Sequence, residues 1–162
     1  MATLIPAFSS CTRRMTAGER RFAQRLEAEA KHIATQLSWL HTQGTAWNQM
    51  AVLYKANFIA AEVCHALDQL KIPYDWLKDR ESKRFDSLRD SAKIMTLHSS
   101  KGLEFPVVAI AGLGFMPYRE EESADDARLL YVGMTRATER LMMTASQDSV
   151  FVQRLTRFEK TA

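Results

Sequence analysis

Short apolar runs alternate with longer amphipathic stretches along most of this chain, and that alternation limits its possible folds more than any other feature. The apolar runs have the length of buried strands, whereas the longer stretches carry apolar residues at helical intervals. Strands that alternate with helices predict a mostly parallel sheet with helices on both faces, which is an α/β fold. The predicted strands lie near 50–54, 73–77, 92–97, 106–112 and 141–145. The predicted helices cover about 19–42, 57–71 and 122–136, and a last one follows residue 148.

Several residues are typical of helix ends and predict where these helices begin and stop. Thr16 and Glu19 have the spacing of a capping box before the first helix, and Gly44 predicts its end. Asn57 and Asp148 can cap the second and the last helix through their side-chain oxygens.

Length and composition indicate one domain with a proper core. The chain has 162 residues, of which 46% are hydrophobic and 25% charged, values typical of a globular protein. Residues 1–15 lack periodicity and are expected to be a linker or disordered segment, so that a single domain covers 16–162. The net charge of +3 is compatible with a nucleic-acid partner but is too small to indicate one.

The sequence gives little support to a metal site or a membrane span. Cys11 and Cys64 lack metal-ligand spacing and are expected to be reduced thiols, so we predict no metal site. No run reaches the 18 or so apolar residues of a membrane span, and the first residues lack a signal-peptide layout. We therefore expect a cytoplasmic protein without a membrane partner.

A polar segment between two predicted strands, Thr96–Phe105 (TLHSSKGLEF), is the first candidate site, since loops at strand ends commonly bind ligands in α/β folds. Gly102 has no side chain, so a ligand can approach its backbone closely. Glu104 offers a carboxylate that can accept hydrogen bonds from ribose hydroxyls. His98 and Lys101, together with Thr96 itself, can donate to the phosphates of a nucleic-acid strand.

A second dense segment, Leu129–Ala137 (LLYVGMTRA), begins 24 residues after Phe105. Its Arg136 lies near the end of a predicted helix, where a long guanidinium can extend beyond the domain surface. In this order, the two segments resemble motifs V and VI of the UvrD/Rep family of superfamily 1 DNA helicases. Ala51–Lys55 (AVLYK) resembles motif IV, and the resemblance extends from about residue 27 to residue 146.

The resemblance implies a RecA-like three-layer sandwich that forms the second, C-terminal motor domain of an ATP-dependent helicase. Such a domain translocates on single-stranded DNA, with 3′-to-5′ polarity, together with a first RecA-like domain. Arg136 would then be the catalytic arginine finger at the γ-phosphate, and Glu104 would contact the nucleotide sugar beside Gly102. Tyr54 would stack on adenine, whereas Thr96, His98 and Lys101 would contact DNA.

Two positions depart from the family pattern. Lys55 stands where the family usually has an arginine at the γ-phosphate, and an ammonium lacks the planar guanidinium fork. Either a weaker phosphate contact survives at Lys55, or the position has lost that role. About 19 residues separate Tyr74 from Ile94, where large members insert an auxiliary domain. The chain therefore resembles compact relatives without that domain, or a fragment.

No GxxxxGK[ST] phosphate-binding loop occurs in these 162 residues. ATP with Mg²⁺ would thus be held mainly by the first RecA-like domain, which is the expected partner together with single-stranded DNA. The chain alone is not expected to hydrolyse ATP. A non-catalytic docking or regulatory module derived from a helicase domain remains an alternative, while a doubly wound small-molecule enzyme lacks the glycine-rich dinucleotide fingerprint.

Overall fold

The computed structural model describes residues 17–77, 86–117 and 119–159. These residues form, in chain order, α1 (Ala17–Thr42), β1 (Met50–Tyr54), α2 (Asn57–Gln69), β2 (Tyr74–Leu77), β3 (Ala92–Thr96), β4 (Phe105–Ile110), α3 (Ser123–Met134), β5 (Ala137–Met143) and α4 (Val150–Glu159). Short 3₁₀ turns lie at Trp47–Gln49 before β1, at Leu113–Phe115 after β4 and at Glu120–Glu122 before α3.

The strands of the described residues form one parallel sheet in the order β2-β3-β1-β4-β5. Side chains on alternate strand positions point to opposite faces. Val52 and Ile94 pack with α1 and α2 on one face, whereas Leu53 and Met95 pack with α3 and α4 on the other. The predicted α/β fold, with a parallel sheet and helices on both faces, is confirmed.

The connections after β1 and β4 leave the sheet on opposite faces. After β1 the chain enters α2 on the first face and continues to β2, at one edge of the sheet. After β4 it enters α3 on the second face and continues to β5, at the other edge. The carboxyl ends of these neighbouring strands therefore flank a topological switch point, where open α/β sheets form a crevice.

The predicted helix and strand positions agree with the structure except at some ends. The first helix ends at Thr42, and Gly44 follows with a φ of +100°, as its position predicted. β5 begins at Ala137, four residues before the predicted strand, because its polar first half pairs with β4 from Phe105 onward. Tertiary pairing thus extends a strand that has little apolar character at its start.

Two predicted helix caps are wrong by one residue. Ala56 takes the N-cap position of α2 in extended conformation, so Asn57 is the first helical residue. The Oγ of Ser149, rather than the Asp148 carboxylate, accepts a hydrogen bond from the backbone N–H of Val152 at the start of α4. The predicted capping box at Thr16 and the predicted linker over 1–15 lie outside the described residues.

Candidate nucleotide and nucleic-acid site

The connection from β3 to β4 is a tight turn whose side chains bond mostly to the turn itself. The Thr96 Oγ1 accepts the backbone N–H of Ser99 at 3.1 Å and lies 2.8 Å from the Ser99 hydroxyl. The buried Ser100 hydroxyl donates to the Leu97 carbonyl at 2.7 Å. Thr96 is 9% exposed, so its hydroxyl stabilises the turn and faces away from solvent. This geometry does not fit the predicted contact of the Thr96 hydroxyl with DNA.

The rest of the β3–β4 connection is open to solvent. His98, Lys101 and Glu104 are all exposed. Gly102 has a φ of +79°, a left-handed conformation that side chains disfavour, and no described residue other than its chain neighbours has an atom within 4 Å of the place where a Cβ would stand. The backbone conformation therefore favours glycine here, and the surrounding space leaves the Gly102 backbone accessible to a ligand.

Arg136 lies in the turn between α3 and β5, and its guanidinium is bound to the β3–β4 connection. Its Nη1 donates to the Leu103 carbonyl at 3.2 Å, and its Nε donates to the Val132 carbonyl at 3.0 Å. Its own carbonyl accepts the N–H of Phe105 at 2.9 Å. The half-buried guanidinium therefore lies along the loop, next to Glu104, and does not extend away from the domain as the sequence predicted.

Lys55 follows β1 and forms ion pairs with two carboxylates from the start of α3. Its Nζ donates to the Glu122 carboxylate at 3.1 Å and makes a short contact with the Asp126 carboxylate. Asp126 is 3% exposed. Burial opposes the charge on Lys55, but the hydrogen bonds and charges of Asp126 and Glu122 outweigh it and raise the pKa of the Lys55 ammonium. Lys55 thus joins the end of β1 to α3.

Tyr54 occupies the hydrophobic core at the end of β1. Its side chain is 1% exposed, and its hydroxyl accepts a hydrogen bond from the Trp76 indole at 2.8 Å. A ring enclosed in this way presents no face to a base, so stacking on adenine would require it to leave this position. The predicted stacking role of Tyr54 does not fit the described conformation.

The candidate residues fall into two groups along the parallel sheet. Tyr54, Lys55 and His98 lie at the carboxyl ends of β1 and β3, whereas Glu104 and Arg136 lie at the amino ends of β4 and β5. Hydrogen bonds and an ion pair nevertheless connect the segments in which these residues lie. The Leu97 N–H donates to the Tyr54 carbonyl at 2.9 Å, Lys55 binds Asp126, and Arg136 binds Leu103.

The sequence did not identify Asp126 or Glu122 as partners of Lys55. The acidic run before α3 was a visible signal, but nothing local indicated that it would meet a lysine about 70 residues earlier. Within the described part of the chain, no group of three His, Cys, Asp or Glu side chains is arranged to hold a metal ion. Among the helices that the structure describes, none is long and apolar enough to cross a membrane.

Comparison with known proteins confirms the resemblance to helicases of the UvrD/Rep family. A family model, the UvrD-like helicase C-terminal domain, matches residues 76–148. The ATP-dependent DNA helicase Rep of Escherichia coli (strain K12) is 43% identical over 65 residues, which are 36% of this chain and 10% of Rep. The ATP-dependent DNA helicase PcrA of Bacillus subtilis (strain 168) is 46% identical over 63 residues, which are 35% of this chain and 8% of PcrA. The matched region thus spans about a tenth of these curated relatives.

A solved structure supports the fold over a larger part of the chain. The crystal structure of the C-terminal domain of a possible DNA helicase from Lactobacillus plantarum WCFS1 superposes with a TM-score of 0.59. The superposition covers 79% of this chain and 73% of that chain at 19% identity. At this identity the likeness concerns the fold, and it confirms the predicted RecA-like α/β architecture.

Proposed function

We propose that this chain, whose residues 76–148 match the family model of the UvrD-like helicase C-terminal domain, is the second motor domain of an ATP-dependent DNA helicase or translocase. In that role it completes the ATP site of a first RecA-like domain and contacts single-stranded DNA. The functional unit is a single domain over 16–162, and its nucleotide is ATP with Mg²⁺ held mainly by the first domain.

The observation that carries the proposal is the contact between Arg136 and the β3–β4 connection. Its guanidinium donates to the Leu103 carbonyl at 3.2 Å, directly beside the exposed Glu104 and one residue from the accessible Gly102 backbone. A cation, a carboxylate and an open backbone thus lie on one short stretch of surface. These groups complement a phosphate, a ribose hydroxyl and the rest of a nucleotide, respectively.

Arg136 acts on the developing charge of phosphoryl transfer. When the two domains close on ATP, its guanidinium exchanges backbone carbonyls for the γ-phosphate, where an arginine finger can accelerate hydrolysis about 10³-fold or more. The hydrogen bonds to Leu103 and Val132 hold the side chain close to the loop in the open state. Glu104 positions the sugar, and Gly102 lets the nucleotide approach the backbone.

The same connection also reaches toward DNA. His98 and Lys101 are exposed on its first half, whereas Glu104 and the Arg136 contact lie at its second half. A change in the loop on ATP binding therefore moves the two DNA-facing side chains as well. This arrangement couples hydrolysis to the grip on a single strand through eight connecting residues, 97–104.

The test uses a polypeptide that joins this chain to a first RecA-like helicase domain. Arg136→Ala should lower the kcat of DNA-stimulated ATP hydrolysis by about 10³-fold while changing nucleotide affinity much less, since the contact strengthens in the transition state. Arg128→Ala is the matched control, because Arg128 lies on α3, is 80% exposed and pairs locally with Asp125 at 2.9 Å.

Equal and small effects of Arg136→Ala and Arg128→Ala on kcat would contradict the proposal. The DNA contact is tested separately by fluorescence anisotropy on a labelled single strand. Replacing His98 or Lys101 with alanine should weaken binding, and the Lys101 variant should also lower its salt dependence, because a cation that contacts a phosphate releases counterions. Binding that is unchanged in both variants would remove these residues from the DNA contact.

A second candidate function is a non-catalytic docking or regulatory module. It is favoured by the motif IV side chains, since Lys55 is bound to Asp126 and Glu122 and the Tyr54 ring is enclosed. Both side chains are thus engaged within the domain. Under this alternative, the joined polypeptide would bind its partner equally well with and without ATP, and Lys55→Arg would not change turnover.

A further inference from the structure

We propose that an aromatic and basic surface at the carboxyl edge of the sheet stacks the unpaired bases of a single DNA strand. This surface, which we call the stacking surface, is formed by Phe22, Phe58, Phe115, Arg21 and Arg25. The proposal rests on the proposed function only in naming single-stranded DNA as the ligand. It assigns a separate contact to residues outside the helicase-like motifs.

Three phenyl rings from different elements meet at this surface. Phe22 belongs to α1, Phe58 to the first turn of α2 and Phe115 to the 3₁₀ turn after β4. The Phe58 and Phe115 rings meet edge to face with centroids 5.3 Å apart, and the Phe22 and Phe115 rings do so at 5.7 Å. Phe22 is 43% exposed and Phe58 is 40% exposed. The cluster is thus ordered by its own contacts yet offers ring surface to a ligand.

Exposed arginines flank Phe22 along α1. Arg20, Arg21 and Arg25 lie in the first nine residues of this helix and are exposed. Their positive charge complements an anionic ligand such as a phosphate backbone.

The arginines share a surface cavity with one of the rings. Arg21, Phe22 and Arg25 line a cavity of about 230 Å³ together with Ser146 and Gln147, which follow β5. Among the described residues, its lining contains two arginines and no carboxylate. Positive charge next to exposed aromatic rings is the combination that binds single strands, because phosphates meet cations and bases stack on rings.

The topology places the stacking surface where α/β sheets bind ligands. Phe58 follows β1 and Phe115 follows β4, so they flank the crevice at the topological switch point. The buried Glu29 of α1 accepts the Gly112 N–H at 2.7 Å and the Thr144 hydroxyl at 2.6 Å. These bonds anchor α1 to the carboxyl ends of β4 and β5, which positions Phe22 over the crevice.

The exposed His98 lies on the same edge of the sheet as the stacking surface. In sheet order, His98 follows β3, Phe58 follows β1, Phe115 follows β4 and Gln147 follows β5. From β3 to β5 there are three spacings between neighbouring strands, which together measure about 14 Å. A few unstacked nucleotides can cover this length. A strand whose backbone contacts His98 can therefore continue onto the rings.

The test measures binding of the 162-residue chain to a labelled oligothymidylate and to an abasic oligomer of equal length. The wild type should bind the thymidine oligomer at least about fivefold more tightly. Phe22→Leu and, independently, Phe58→Leu should each remove about fivefold of that affinity without changing abasic binding. A plot of the logarithm of the association constant against the logarithm of the salt concentration has a negative slope. Arg25→Gln should reduce the magnitude of this slope by about 0.7 for both oligomers. Trp39→Leu and Arg140→Gln are the controls.

The two control residues are exposed like the residues of the stacking surface, but they lie elsewhere on the domain. Trp39 is 50% exposed near the other end of α1, and the Arg140 guanidinium lies 5.9 Å from its ring centroid. Both control variants should leave the two affinities unchanged. Circular dichroism of every variant checks that the fold is retained, and the wild-type preference for bases over abasic sites needs no variant at all.

The proposal is overturned if the wild type binds both oligomers equally, or if the phenylalanine variants lose no more affinity than Trp39→Leu. In the second case, weaker association of these variants with a first RecA-like domain would assign the rings to a protein interface. The proposed function would still stand if His98→Ala weakened binding while Phe22→Leu did not. Failure to bind either oligomer would overturn the stacking surface and the DNA contact of the proposed function together.

Discussion

Replacing Lys55 with methionine should destabilise the domain, because it removes the ammonium that offsets the buried Asp126 carboxylate. Breaking a fully buried ion pair costs about 3–5 kcal/mol, whereas an exposed pair contributes about 0–1 kcal/mol. The side chains of Asp126, Lys55 and Glu122 are 5%, 22% and 45% exposed. The energy of the Lys55–Asp126 ion pair should therefore be closer to that of a buried pair than to that of an exposed pair. We expect a loss of about 2–3 kcal/mol in the free energy of unfolding.

The assays are urea denaturation and thermal unfolding, both followed by circular dichroism. For a chain of this size, the expected loss lowers the Tm by about 5–10 °C with an unchanged m-value. Lys31→Met is the matched control, since Lys31 is 54% exposed and pairs with Glu27 on the surface of α1 at 2.7 Å. That control should change stability by no more than about 0.5 kcal/mol.

Two further measurements separate the ion pair from simple loss of packing. Adding Asp126→Asn to Lys55→Met should restore part of the lost stability, because no charged carboxylate then remains buried without the ammonium. The pKa of Lys55 is raised in the folded state, so its contribution is fully present below the unfolded value of about 10.4 and is lost as pH rises through the folded value. The stability gap between wild type and Lys55→Met should therefore close only in strongly alkaline solution.

A Lys55→Met variant no less stable than Lys31→Met would refute this reasoning. Strict additivity of Lys55→Met and Asp126→Asn would also refute it, because interacting residues must show a coupling energy.

The chain alone should hydrolyse no ATP, with or without single-stranded DNA, because its sequence holds no phosphate-binding loop; a turnover that Arg136→Ala abolishes in a pure preparation would contradict this. Asp75 provides an acid-dependent prediction. Burial tends to raise its pKa, but hydrogen bonds from Lys93 and Ser91 and nearby positive charge outweigh burial and lower it. Its contribution to stability is therefore present above the unfolded value of about 3.9 and lost as pH falls through the lower folded value. In a pH series of urea titrations, Asp75→Asn should remove that part of the acid-induced loss of stability. If the stabilities of wild type and Asp75→Asn had the same pH profile, Asp75 would be excluded as the source of that loss.

Local patterns in the sequence determined the elements of this fold. The apolar runs at β1 and β3 are buried at every position, so their strand character could be recognised without knowing their neighbours. Alternation of strands with helices predicted the parallel sheet, since a parallel pair needs a crossover connection. Arg136 and Glu104 were identified by their local sequence context, and the helicase resemblance was confirmed by comparison. Their roles at the nucleotide remain predictions.

The tertiary structure alone decided which side chains meet. Lys55 binds Asp126, 71 residues later, and this contact engages a side chain for which the sequence left a γ-phosphate contact open. Burial in the core shared with α1 and α2, and the contact with Trp76, enclose the Tyr54 ring. The physical reason is that propensity and periodicity act within one element, whereas burial and ion pairing depend on elements brought together from distant parts of the chain. The sequence therefore determined the strands, helices and motif positions, and the packing of those elements determined the direction and the partners of each side chain.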